Sequence, residues 1–144
     1  MKKHIITYGL GIAAALIVYF LLTKLVGLHK YPILSAFNGV IIGAGIFYAL
    51  RSYKRASSNF KYQDGFQVGL FAGSLAAVLF AVFMAVYIFM IDSQFATAVL
   101  DSWNLNFNKG SLILIISLAI MGISTSFVLT LAFMQLYKES WNQK

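Results

Sequence analysis

The chain has 144 residues, of which 60% are hydrophobic and only 10% are charged. Soluble domains carry about a quarter charged residues, so this composition excludes an ordinary soluble domain and favours a membrane protein. Cysteine is absent, which excludes disulfide bonds and thiolate chemistry. The net charge is +7, and in a membrane protein such a charge is typical of cations that flank the membrane-spanning segments rather than of nucleic-acid binding.

Four apolar segments follow one another along the chain, and none of them contains Asp, Glu, Lys, Arg or His. They extend over about residues 5–23, 32–50, 66–91 and 111–134. Each is long enough to cross the hydrocarbon core, which takes about 20 helical residues. The sequence therefore predicts one all-α transmembrane domain over residues 1–144, a polytopic bundle of four helices.

The loop between the second and third segments, RSYKRASSNFKYQDG, is basic and carries interleaved aromatic residues. Its cations are Arg51, Lys54, Arg55 and Lys61. We interpret this loop as a surface that faces anionic lipid headgroups, where each cation contributes about 1 kcal/mol. The alternative is that it docks a cytoplasmic partner or a lipid-linked headgroup.

Cations are distributed unevenly between the two faces that four crossings create. Of the eleven lysines and arginines, eight lie on the side of the termini and the basic loop, and three lie in the two loops opposite. The positive-inside rule therefore predicts that both termini and the basic loop are cytoplasmic.

The third segment carries a small residue at every fourth position. Helices in lipid associate through close backbone contact along such rows, and shorter rows occur in the other segments. We expect these rows to close the bundle within one chain; the alternative is that the row of the third segment receives another subunit or protein. The residues are Gly65, Gly69, Gly73, Ala77, Ala81 and Ala85 in the third segment, Ser35, Gly39 and Gly43 in the second, Gly122, Ser126 and Thr130 in the fourth, and the pairs Gly9 with Ala13 and Gly11 with Ala15 in the first.

The loop between the third and fourth segments has an apolar row of its own. Phe95, Val99 and Trp103 are four residues apart, which predicts a short helix lying in the membrane interface.

The polar side chains considered inside the four apolar segments are all uncharged. We expect them to form hydrogen bonds between helices, worth about 0.6–2 kcal/mol each; a contact of Asn38 with a solute is the alternative. Proton- or ion-coupled transport usually needs an ionisable side chain at this depth, and the segments have none. The residues are Asn38, Ser74, Ser117, Ser124 and Thr125.

The four acidic residues and two histidines are too dispersed to form a recognisable site. No two of them share a ligand-like spacing on one helix, as a metal site or an acid–base pair requires. The sequence therefore predicts no catalytic, cofactor or metal site and no enzyme activity.

The stretch YALRSYKRASSNFKYQDGFQVGLFAG and the later YIFMIDSQF carry a family resemblance. A basic loop leads through Phe66 and Gln67 into a helix with Gly69, and Ile91 and Asp92 stand near its end. The chain thereby resembles small inner-membrane proteins of Gram-negative bacteria, known only as a domain of unknown function. The resemblance implies four helices and the bacterial inner (cytoplasmic) membrane, and it supplies no activity.

These features together favour a non-enzymatic function. We expect an accessory or scaffold subunit that packs with a membrane-associated protein or with a second copy of itself, in contact with anionic lipids and without nucleic acid. The alternative is a small oligomeric transporter or channel for an uncharged or small solute.

Overall fold

The protein is an all-α bundle of four helices, as the sequence predicts. The computed structural model describes residues 1–27, 32–91, 94, 101 and 110–137, and these include no β-strand. The predicted interfacial helix at residues 95–103 lies outside the described residues, except for Asp101. The helices are α1 (Lys2–Val26), α2 (Pro32–Ala56), α3 (Tyr62–Val86), which continues into a π-helical turn (Tyr87–Ile91), and α4 (Gly110–Leu136).

All four helices extend beyond the apolar segments, and cations take part in the extensions of α1 and α2. α1 begins at Lys2, and α2 continues through Arg51 and Lys54 to Ala56. Lysine and arginine are good helix formers, and their long side chains let the charge reach water from a helix end. α1 ends at Gly27, which adopts the left-handed conformation (φ 79°) and donates its N–H to the Lys24 carbonyl at 3.0 Å.

The outer surface of the bundle is apolar, as a lipid-facing surface should be. α1, the continuous helix Tyr62–Ile91 and α4 are each long and apolar enough to cross a membrane. On α4, Ile116, Ile120 and Val128 are 58–61% exposed. A membrane crossing by α2 stays a prediction from its apolar segment.

α3 is the central helix of the fold. It packs against the three other helices, most extensively against α4 and α1. Its Val68, Ala72 and Ala76 are fully buried. Large buried side chains from the other elements fill the space around it: Leu16, Ile46, Leu50, Tyr87, Ile88, Leu114 and Met134.

Candidate functional site

One end of the bundle gathers ring side chains from four parts of the chain. His4 at the start of α1 lies edge-on to Tyr53 near the end of α2, with ring centres 5.5 Å apart. Tyr53 contacts Phe60 in the α2–α3 connection (6.1 Å), and Phe60 contacts Tyr137 just after α4 (6.2 Å). We call this region the basic–aromatic end: these four rings with Lys2, Lys3, Arg51, Lys54, Arg55 and Lys61.

Lys54 is held against this ring system. Its ammonium nitrogen lies 4.7 Å from the ring centre of Tyr137 and 5.8 Å from that of Phe60. Such cation–π contacts contribute about 0.5–1 kcal/mol at exposed sites. Because Lys54 is otherwise exposed, the rings fix one side of the ammonium and leave the other accessible.

The cations of this end have no anionic partner among the described residues. All six are exposed, and none forms an ion pair with a described carboxylate. Six exposed cations against one described carboxylate at this end, Asp64 in the first turn of α3, create a net positive potential that attracts anions. The sequence identified Arg51, Lys54, Arg55 and Lys61 as this surface and predicted the N-terminal lysines on the same side; the structure adds the ring platform.

The small residues of α3 face α4 in a regular antiparallel register. Every fourth residue along α3 contacts every fourth residue along α4, and the two series run in opposite directions along the chain. A Cβ built on Gly69 would lie 2.6 Å from Thr130 Cγ2, and one built on Gly122 would lie 2.5 Å from the Ala77 Cβ. The first four positions of the α3 row are therefore occupied by the chain's own α4, in the pairs Gly65 with Met134, Gly69 with Thr130, Gly73 with Ser126, and Ala77 with Gly122.

α1 also contacts its neighbours through glycines. A Cβ on Gly9 would lie 2.7 Å from Leu75 Cδ2 and 3.2 Å from the Ala72 carbonyl oxygen of α3. A Cβ on Gly45 of α2 would lie 2.6 Å from Ile12 Cδ1 of α1. Sequence reasoning missed Gly45, because it lies outside the four-residue row of α2.

The other small residues of the predicted rows lie in different surroundings. Gly43 has ordinary space towards Leu129 (3.5 Å), whereas no described atom beyond the backbone of its own helix lies within 4 Å of the Gly39 Cβ position. Ala81 is buried and Ala85 is half-buried. The side chain of Ser35 lies outside the described residues.

The polar side chains within the helices differ in their hydrogen bonding. Ser126 donates to the Gly122 carbonyl of its own helix at 2.7 Å. Thr130 Oγ1 and Asn38 Oδ1 are buried without a hydrogen-bond partner among the described residues. Ser74, Ser117 and Thr125 are half-buried, and Ser124 is exposed.

Thr130→Val is expected to stabilise the bundle. Thr130 is fully buried, and an unpaired buried hydroxyl costs about 1–3 kcal/mol, which valine of nearly the same shape avoids. We expect the free energy of unfolding in mild detergent to rise by about 1 kcal/mol. Ser126→Ala is the matched control, because it removes a hydrogen bond that is made and should lower stability by about 0.5–1.5 kcal/mol. Equal losses in both variants would contradict the assignment.

A second ring cluster, at the opposite end of the bundle, was missed by sequence reasoning. Phe20 of α1 lies edge-on to Tyr87 (5.0 Å between ring centres), Phe83 (6.0 Å) and Phe80 (6.5 Å). The Lys24 ammonium lies 4.7 Å from the Tyr87 ring centre. The spacing of residues 80, 83 and 87 places them on one helix face and is the signal that was available. This cluster joins the last turns of α1 to the end of α3.

The described residues include no group of three His, Asp or Glu side chains that could hold a metal ion. The arrangement instead offers two kinds of contact: positive charge over a ring platform at one end, and closely packed apolar helices between the ends.

Comparison with known proteins gives a family match. The model for the family described as a protein of unknown function (DUF4199) matches residues 7–139, so the resemblance to an uncharacterised family is confirmed. No curated protein and no solved structure matches the chain.

Proposed function

The chain belongs to the DUF4199 family of proteins of unknown function, and we propose that it is a non-enzymatic accessory or scaffold subunit in the membrane. In this proposal it holds a membrane-associated protein at its basic–aromatic end. The membrane is the bacterial inner membrane, and both chain termini and the basic–aromatic end face the cytoplasm.

The packing of α3 supports this end, rather than the α3 row, as the docking surface. Gly69 and Gly73 already contact Thr130 and Ser126 of α4. A partner helix at this row would have to displace α4 and expose the most extensive helix contact of the fold. A partner can reach the basic–aromatic end without displacing any described helix.

The single observation that carries the proposal is the set of exposed cations without a described carboxylate partner. Arg55 and Lys61 flank the α2–α3 connection, and Lys2 and Lys3 lie at the start of α1. Complementary charge steers association and fixes the orientation of a partner. The partner that fits is therefore a membrane-associated protein with an acidic surface, and its association should weaken as salt rises.

The test is gentle extraction of the tagged full-length chain, with its companions identified by mass spectrometry. Arg55→Gln combined with Lys61→Gln should lower recovery of a discrete partner, because two exposed ion pairs of about 0.2–1 kcal/mol each correspond to a loss between about twofold and thirtyfold. The matched control combines Arg55→Lys with Lys61→Arg, which keeps both charges and should keep the partner.

Two outcomes would contradict this function. One is equal recovery of every companion with the charged and the uncharged pair of variants. The other is recovery only as a monodisperse homo-oligomer with a continuous polar lumen, which would favour a transporter or channel for a small solute.

A further inference from the structure

We infer that Arg51 and Lys54 hold the phosphate group of an anionic lipid whose acyl chain lies along the outer face of α2. This names a ligand at the basic–aromatic end beyond the proposed partner protein. It uses different cations from Arg55 and Lys61, and the lipid binds whether or not the partner is present.

The first support is the depth at which Lys54 lies. The apolar segment of α2 ends at Leu50, and Lys54 is about one helical turn further. Its ammonium contacts the ring of Tyr137, the first residue after α4. Both Tyr137 and Phe60 pack partly buried against the apolar core, so the ammonium lies where the apolar bundle ends. Tyrosine side chains concentrate at the level of lipid headgroups, which is the level of lipid phosphates.

The second support is the surface of α2 that leads to these cations. Phe37, Val40 and Tyr48 are 54%, 65% and 59% exposed. At helical spacing they form one outer face, and Arg51 continues that face beyond Tyr48. An apolar strip that ends in positive charge matches the chemistry of a lipid, which has an acyl chain below an anionic headgroup. Free phosphate would use only the charged end, and an acidic protein surface would leave the apolar strip unused.

The third support is the charge geometry. Arg51 and Lys54 are three residues apart, so their side chains are neighbours on the surface of α2. Arginine supplies planar paired donors and lysine a compact point charge, and both bind phosphate oxygens. Neither side chain has a carboxylate partner among the described residues, so no described ion pair has to break when the lipid binds.

The test is native mass spectrometry of the full-length protein with phosphatidylglycerol or phosphatidylcholine. Arg51→Gln combined with Lys54→Gln should weaken phosphatidylglycerol binding about thirtyfold, the equivalent of about 1 kcal/mol for each ion pair lost with the phosphate. Phosphatidylcholine, whose choline cation offsets the charge of its phosphate, should bind more weakly and should lose less affinity in this variant. Arg51→Lys combined with Lys54→Arg should retain the lipid, which shows that charge rather than folding is responsible.

The combined Arg55→Gln and Lys61→Gln variant is the matched control, since it removes the same charge from the same end. It should keep phosphatidylglycerol while losing the proposed partner, so the two proposals fail separately. Equal weakening by both pairs would overturn the lipid site, because binding would then follow net charge alone. Displacement of the lipid by millimolar inorganic phosphate, or loss of a partner protein instead of lipid from the Arg51 and Lys54 variant, would overturn it too.

Discussion

Gly73→Leu should prevent the bundle from closing. A Cβ at this position would lie 2.5 Å from the Ser126 Cβ and 3.0 Å from Ile46 Cδ1, and leucine adds three more carbons beyond it. Because Ser126 Cβ is fixed to the α4 backbone, α4 must move away from α3. Overpacking typically costs about 1–3 kcal/mol, and here we expect at least about 3 kcal/mol. Thermal unfolding in mild detergent, followed by circular dichroism and size-exclusion chromatography, measures the loss, and Gly69→Leu should behave alike.

Gly11→Leu is the control for Gly73→Leu, because it makes the same change at a glycine within a helix. Among the residues that the structure describes, no other part of the chain comes within 4 Å of the Gly11 Cβ position, so leucine there extends outward and should leave the unfolding midpoint nearly unchanged. Val82→Leu, at a side chain that is 56% exposed, should also be mild. Similar midpoints for Gly73→Leu and Gly11→Leu would show that the α3–α4 contact does not hold the fold together.

The number and order of the helices were predictable because they depend on composition alone. A stretch of about twenty residues without charge has few alternatives to a helix in lipid, where every backbone polar group must be paired internally. The positions of the helix ends were harder to predict from the sequence. The predicted second segment ends before Arg51, but lysine and arginine continue a helix well, so α2 extends to Ala56.

The neighbour of each helix face was not predictable, for a reason specific to lipid. In a soluble bundle the polar face of a helix marks its outside, but in a membrane the outside is as apolar as the inside. Gly39 and Gly43 therefore look alike in sequence, although within the described part of the chain another helix comes within 4 Å of the Cβ position of Gly43 and not of Gly39. A row of small residues indicates that a close contact is possible and leaves its partner undetermined.

Part of the basic–aromatic end could be predicted from the sequence. The cations of the α2–α3 connection are adjacent in the chain, so their clustering needed no fold. His4 and Tyr137 are 133 positions apart and meet the same ring system only because α1 begins and α4 ends at the same side of the bundle. Long-range contacts of this kind depend on how the helices pack, and helix packing cannot be deduced directly from a single sequence.

The ring cluster at the opposite end could not be found by looking for reactive or charged residues in the sequence. Phe80, Phe83 and Tyr87 are apolar or weakly polar residues within an apolar segment, so nothing in their surroundings marks them. Their common partner Phe20 is about sixty residues away in the chain. The π-helical turn that begins at Tyr87 contains no Pro or Gly that would have indicated it in the sequence. Only the structure shows that these rings connect α1 to the end of α3.

Phe20→Ala should remove that connection and produce the second large loss of stability. Phe20 is 8% exposed and contacts the rings of Phe80, Phe83 and Tyr87. In lipid the transfer of a phenyl ring from one apolar environment to another contributes little, so the cost comes from the cavity and from lost ring contacts. Edge-to-face pairs contribute about 0.5–1.5 kcal/mol each, and we expect a total loss of about 3 kcal/mol, measured from the unfolding midpoint in mild detergent.

Val18→Ala, two residues earlier on the same helix, separates this effect from a general loss of side-chain volume. Val18 is 54% exposed on the lipid-facing side of α1, so its truncation should change stability by no more than about 0.5 kcal/mol. Because the cavity term depends on whether the neighbours can collapse, Phe20→Leu should recover part of the loss by filling the space without restoring the edge-to-face geometry. A Phe20→Ala protein as stable as Val18→Ala would mean that α1 is held at this end by other contacts.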